Sequence, residues 1–223
     1  MIDSQTLWIM LHVVLLVYWL GADISVFYSS LQIIKTENSR ETRAAIAKVL
    51  GFVNAFPGIV SILMLPVGFM LASGKGLSPI TGSWLVLVWG LSGVWLVISV
   101  SAGSQRGTPL GRTYSNVDLW IRIVLIVVLS IAAIVSFIGG SPFTSNWLAL
   151  KVLLFAFVLG CGLGIRFTFA HFGPAFGRFM AEGSNPETEA ALRTPVLRVK
   201  PWVLALWAGI IAMSLLGIAQ PSL

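Results

Sequence analysis

Four ionisable side chains lie within two segments otherwise apolar enough for lipid: His12 and Asp23 in LWIMLHVVLLVYWLGAD (7–23), and Lys151 and Arg166 in NWLALKVLLFAFVLGCGLGIRFTFAH (146–171), which ends on a fifth, His171. Such groups avoid lipid and mark ligand sites, pathways or partners inside a bundle. At about 100° per residue, His12, Trp19 and Asp23 share one narrow stripe of a helix, so that stripe should face inward. His12 follows Trp8 by four residues and Lys151 follows Trp147 by four, which puts both about 6 Å below an outer tryptophan level. An imidazole at that depth can ligate a cofactor or donate to a neighbouring helix. An ammonium there can hold an anionic group or snorkel to the headgroups. Lys151, Phe155, Val158, Gly162 and Phe169 form its stripe, and Gly160, Gly162 and Gly164 leave room for a neighbouring helix or a flat ligand.

A second polar layer lies deeper. Asp23 is about 22 Å below Trp8 and Arg166 about 28 Å below Trp147, so the expected partner of Asp23 is Arg166, in a structural ion pair. Arg122 competes, but Asp118 stands four residues before it and occupies it locally. His171, about 36 Å below Trp147, is some 30 Å from His12 along the membrane normal. Ligand bonds of about 2 Å cannot span that gap, so the two histidines cannot hold one metal. Cys161 is the single cysteine. Met64 and Met70, the soft candidates for copper, are six residues apart and face different directions. No nucleophile triad, phosphate-binding glycine loop or paired-histidine zinc motif is present, so no catalytic residue and no protein metal site is assigned.

The elements that must position these groups are transmembrane helices. Of 223 residues, 57% are hydrophobic and 10% charged, and the mean hydropathy is +0.93. Spanning the hydrocarbon takes about 20 apolar residues. Segments at roughly 6–30, 46–73, 83–103, 117–139, 146–171 and 200–219 qualify, giving an all-α bundle of six transmembrane helices in one domain. Pro57 and Pro66 predict a kinked second helix, whose freed carbonyls Asn54 and Ser61 can satisfy or whose pocket they can line. The N-terminal run lacks the basic flank and cleavage site of a secretory signal.

The net charge of +6 would suit nucleic acid, but the basic residues sit in short connections facing lipid headgroups, so no nucleic-acid partner is expected. Lys35, Arg40, Arg43, Arg106, Arg112, Arg178, Arg193 and Arg198 fall in the first, third and fifth connections, and only Lys75 in the second. The positive-inside rule then puts both termini in the periplasm and a loop over 173–199 in the cytoplasm of a bacterial inner membrane. In that loop NPETEAALR carries an Asn185 cap, Pro186 at a first helical position and early acids, which predicts a short surface helix.

LHVVLLVYWLGA and WLALKVLLFAFVL resemble two related groups of bacterial membrane proteins, the copper-resistance D-type proteins and the membrane-bound, haem-containing protoporphyrinogen oxidases. The resemblance implies that His12 is a haem ligand and Lys151 its companion, with Trp19 in the same site. Asp23 stands where those families run on apolar, and the copper proteins are richer in His and Met. LMLPVG (63–68), GIRF (164–167) and NPETEAALR are similar to a group of proteobacterial multi-pass proteins with no assigned activity. Three functions follow as expectations: a haem-binding protein of redox or tetrapyrrole chemistry, a non-catalytic accessory or assembly subunit with a homo-oligomer or membrane-complex partner, and a small-solute carrier using Asp23 and Arg166.

Overall fold

The computed structural model describes residues 3–222. Among them are eight helices and no strand: α1 (Ser4–Ile33), α2 (Arg40–Val53), α3 (Ala55–Gly74), α4 (Ser83–Ser104), α5 (Pro109–Gly139), α6 (Asn146–Phe169), α7 (Phe172–Glu182) and α8 (Pro186–Ala219). Taking α2 with α3 and α6 with α7 as continuous lengths, six helices are long and apolar enough to cross a membrane. The chain is a multi-pass, all-α membrane protein.

The helix starts follow from their first residues. The Asp3 carboxylate accepts the Thr6 N–H at 2.7 Å to open α1, and hydrogen bonding to the Thr6 side chain and then its N–H holds the carboxyl below the usual carboxylate range. Thr108 caps α5 by accepting the Gly111 N–H at 3.0 Å, with Pro109 at the first helical position. Asn185 accepts from the Glu187 and Thr188 N–H groups while the Thr188 hydroxyl accepts from the Asn185 N–H, a reciprocal cap.

Three boundaries depart from the sequence reading. α5 begins at Pro109 rather than near 117, because Thr108–Pro109 is a cap and first-turn pair despite the polar residues that follow it. The break in the second span falls at Asn54, between α2 and α3, and α3 continues through Pro66. Pro57 explains this: it has no N–H for the Val53 carbonyl, and its ring crowds that carbonyl. Ser61 donates instead to the Gly58 carbonyl at 2.8 Å, and neither Asn54 nor Ser61 lines the cavity described below.

The expected cytoplasmic loop over 173–199 is helical instead over Phe172–Glu182 and from Pro186 onward, and the sixth span starts at Pro186 rather than 200. The Asn185 cap therefore opens the last membrane helix, not a separate surface helix. Buried Leu192, Val196, Val199, Val203, Leu206, Ile210 and Met213 recur in alternate steps of four and three, one continuous stripe that carries α8 through Pro195 and Pro201.

The spans pack in a ring: α1 on α3, α3 on α4, α4 on α5, α5 on α6 and α6 on α8, with a lighter contact of α8 back on α1. The α6–α8 pairing is the most extensive, and two glycines allow it. A Cβ at Gly164 would collide with the Trp202 indole, and one at Gly209 would come within 2.5 Å of a Val158 methyl. The space foreseen at Gly164 is thus taken by the neighbouring helix, whereas Gly160 and Gly162 have nothing within 4 Å of a Cβ position.

The two ends of the ring differ. At one, Arg43 is 1% exposed, gives its guanidinium to Glu189 at 2.8 Å and to the Asn38 carbonyl at 3.1 Å, and lies over the Phe179 ring. This joins the first connection, α2, α7 and the start of α8 at the Arg-rich end. At the other, the Thr144 N–H meets the Leu77 carbonyl at 3.4 Å, and Phe143 and Leu148 are buried beside Ala72.

Candidate functional site

Within the ring is a cavity of about 310 Å³, at the end away from the arginines, lined mainly by α1, α3, α6 and α8. α1 contributes Ile9, His12, Val13, Leu16 and Trp19; α3 contributes Met64, Leu65, Gly68 and Phe69. Trp147, Lys151 and Phe155 come from α6, and Ile210, Met213, Ser214 and Gly217 from α8. Leu77 and Phe143, from the second and fourth connections, lie over its outer end. His12, Trp19 and Lys151, singled out by depth and helical spacing, therefore meet in one space.

The floor is aromatic. Trp19 is 3% exposed and meets Phe155 edge-on, with centroids 6.1 Å apart and planes at 81°. Above it, His12 is half-buried on the wall, and its Nδ1 is buried with no hydrogen-bond partner. A buried ring nitrogen without a partner is costly in a well-packed interior. The Lys151 ammonium lies over Gly217, where a Cβ would come within 2.6 Å of Nζ. Exposed Lys75 lines the same cavity as Lys151 and His12. Among the described residues no aspartate or glutamate lines the cavity, so it is apolar with a cationic edge. Among the described residues no three His, Cys, Asp or Glu side chains converge as metal ligands, and His12 is the only histidine on the wall. His171 is exposed at the junction of α6 and α7, far from this space in the fold.

The inner polar layer is arranged differently from the expected Asp23–Arg166 pair, which does not form. Arg166 donates to Asp118 at 2.8 Å and to the Ser115 carbonyl and hydroxyl, each at 2.6 Å. Asp118 also accepts from Arg122 at 3.0 Å and from the Trp95 indole at 2.8 Å. The local Asp118–Arg122 pair is present, and its carboxylate has capacity left for a second arginine from the adjacent α6. Asp23 accepts instead from the Trp207 indole on α8, at 2.7 Å. α5 rather than α1 lies beside Arg166.

Trp95, Trp207 and Ser115 were not foreseen as partners. The available signal is that a buried indole N–H needs an acceptor, and the chain has few acids at membrane depth to supply one. Compared with models of protein families, with curated proteins and with solved structures, the chain finds no match, so its function is read from the geometry just described.

Proposed function

We propose that the protein binds a flat, apolar, acidic ligand in this cavity, with haem as the candidate and His12 as the residue that holds it. The observation that carries the reading is the meeting of His12, Trp19 and Lys151 on one apolar cavity whose only charged residues are basic. The volume lies within the ~300–1,000 Å³ of small-molecule sites.

The residues present fit such a group. The His12 imidazole has a buried ring nitrogen without a protein partner, so His12 would be the residue to hold the iron of such a group. Trp19 and Phe155 offer an aromatic floor, and Lys151 and Lys75 offer cations for propionates. Bound there, haem would supply one-electron redox chemistry. The protein side of that chemistry is to orient the macrocycle, hold its acids at the cationic edge and keep water away with the apolar walls.

The positive-inside rule supports an orientation in a bacterial inner membrane with the Arg-rich end in the cytoplasm, and the cavity and both termini on the periplasmic side. Two alternatives have less support. A carrier built on Asp23 and Arg166 needs them on a path, and neither lines the cavity. An accessory subunit docking through a loop over 173–199 loses that loop to α7 and α8, whose facing residues pack on Arg43 and Ile33.

The test is the absorbance spectrum of protein purified from a host supplied with haem. A Soret band that is lost in His12→Ala and shifted in Lys151→Met is expected. A colourless wild-type protein, or a spectrum indifferent to His12→Ala, overturns the reading.

A further inference from the structure

We infer that the cavity is filled sideways from the bilayer, between α1 and α8, by an apolar acid whose carboxylate comes to rest at Lys151 and Lys75. The inference rests on the cavity being a ligand site, as proposed above, but not on the ligand being haem.

The first observation is how α1 and α8 meet. In the inner half they are joined by the Trp207–Asp23 hydrogen bond at 2.7 Å and by Phe27 edge-on to Trp207 at 5.9 Å. Towards the outer end both helices line the cavity, which occupies the space between them. The pair is closed at one end and parted at the other.

The second is that residues on the edges of this gap belong to two surfaces at once. Ile9 and Val13 of α1 are 46% and 49% exposed and Ile218 of α8 is 83% exposed, yet all three line the cavity. The exposed side of these helices continues through Val17 and Leu215, an apolar face that meets lipid chains. A cavity wall continuous with the lipid-facing surface is an opening to lipid. The outer end, by contrast, is covered by Leu77 and by Phe143, which is 4% exposed and tied down by its N–H to the Ser136 hydroxyl at 3.0 Å.

The third is charge. No acid lines the cavity, and Lys151 has no hydrogen-bond or ion-pair partner among the described residues. Its ammonium lies over Gly217, two residues before the end of α8, which is headgroup depth, while the Trp19–Phe155 floor lies deeper. An apolar acid floating in the outer leaflet has this same order along the membrane normal, with its carboxylate at the headgroups and its body below. It needs no inversion to pass through the gap.

The experiment uses the full chain in nanodiscs with a diazirine-bearing palmitic acid, and the hexadecanol carrying the same diazirine as the uncharged control. After irradiation, peptide mass spectrometry maps the labels. The acid is expected to label Leu16, Met64 and Phe155, and the alcohol about tenfold less, the equivalent of one charge-assisted contact. Lys151→Met should reduce acid labelling by a similar factor and Lys151→Arg should preserve it, so a folding defect in one variant does not decide the result. Val13→Trp, at the gap, should slow the rise of cavity labelling and leave labelling of Leu215 unchanged.

Equal cavity labelling by acid and alcohol, acid labelling confined to outward residues such as Val17 and Leu215, or an unchanged rate in Val13→Trp overturns the inference. Acid-dependent labelling without a Soret band removes haem and leaves the acid site. A Soret band with acid-independent labelling overturns this inference alone.

Discussion

Trp207 donates its indole N–H to the Asp23 carboxylate at 2.7 Å, and that bond ties α1 to α8 just below the Trp19–Phe155 floor. It explains why one apolar helix carries two polar residues on one stripe. His12 lines the cavity above, whereas Asp23, 9% exposed, is bonded to the helix that forms the opposite wall. With the cavity between them towards the outer end, the two helices depend on this contact and its neighbouring Phe27 ring for their spacing.

Trp207→Phe keeps a ring against Phe27 but removes the only side-chain donor to Asp23 among the described residues. Leaving a buried acceptor unsatisfied costs about 1–3 kcal/mol. A lower Tm in detergent is expected, recovered in large part by Asp23→Leu in the same chain, because replacing both partners by apolar groups removes the unsatisfied atom. A double variant no more stable than Trp207→Phe would show that the bond is not what the substitution breaks.

The six spans and the cavity residues were legible in the sequence because hydropathy, rise per residue and helical angle are local properties. His12, Trp19 and Lys151 could be placed at a depth and on a face without knowing their neighbours. Pairings were not legible, since the order of helices around a ring is decided by packing: Arg166, assigned to Asp23 by rise per residue alone, faces α5, where Asp118 accepts it. The start of α8 was hidden by Pro195, Pro201 and the charges of LRVK, although the buried four-and-three stripe from Leu192 to Met213 runs straight through them. Partners such as Trp95 and Trp207 were not legible, because hydrogen bonding by an indole leaves no mark in a hydropathy pattern.

Asp118 is the shared acceptor of the inner layer, with Arg122 at 3.0 Å and Arg166 at 2.8 Å. Asp118→Ala strands two arginines, so its cost should be about 3–5 kcal/mol and exceed that of Arg166→Ala, whose side chain is 30% exposed. Double-mutant cycles by chemical denaturation should give a coupling of about 1–3 kcal/mol for Asp118 with Arg166 and under about 0.5 kcal/mol for Asp23 with Arg166. The reverse order would restore the pairing that depth alone suggests.

At the Arg-rich end, Arg43 binds Glu189 through both carboxylate oxygens, at 2.8 and 3.0 Å. Arg43→Met preserves bulk against Phe179 but leaves the carboxylate without its cation. Hydrogen exchange should quicken at the backbone amides of the first turns of α8 and in α7, with little change in α4. Because the arginine is buried, added salt should alter the wild-type exchange there very little. Uniform acceleration across all helices would mean that the pair holds the whole bundle rather than this end.

The three glycines of LGCGLG divide by what lies over them. Gly164 sits beneath the Trp202 indole, a rigid ring that cannot swing aside as a lysine can, so Gly164→Ala forces α6 and α8 apart. Overpacking of this kind costs about 1–3 kcal/mol. Gly160 and Gly162 have nothing within 4 Å of a Cβ position, so alanine there should be neutral or stabilise by up to about 1 kcal/mol through helix propensity. Tm values of the three single variants check the order. Equal destabilisation at all three would place a further contact over Gly160 and Gly162, whereas loss confined to Gly164, relieved by Trp202→Leu, would assign the glycine to the close approach of the two helices.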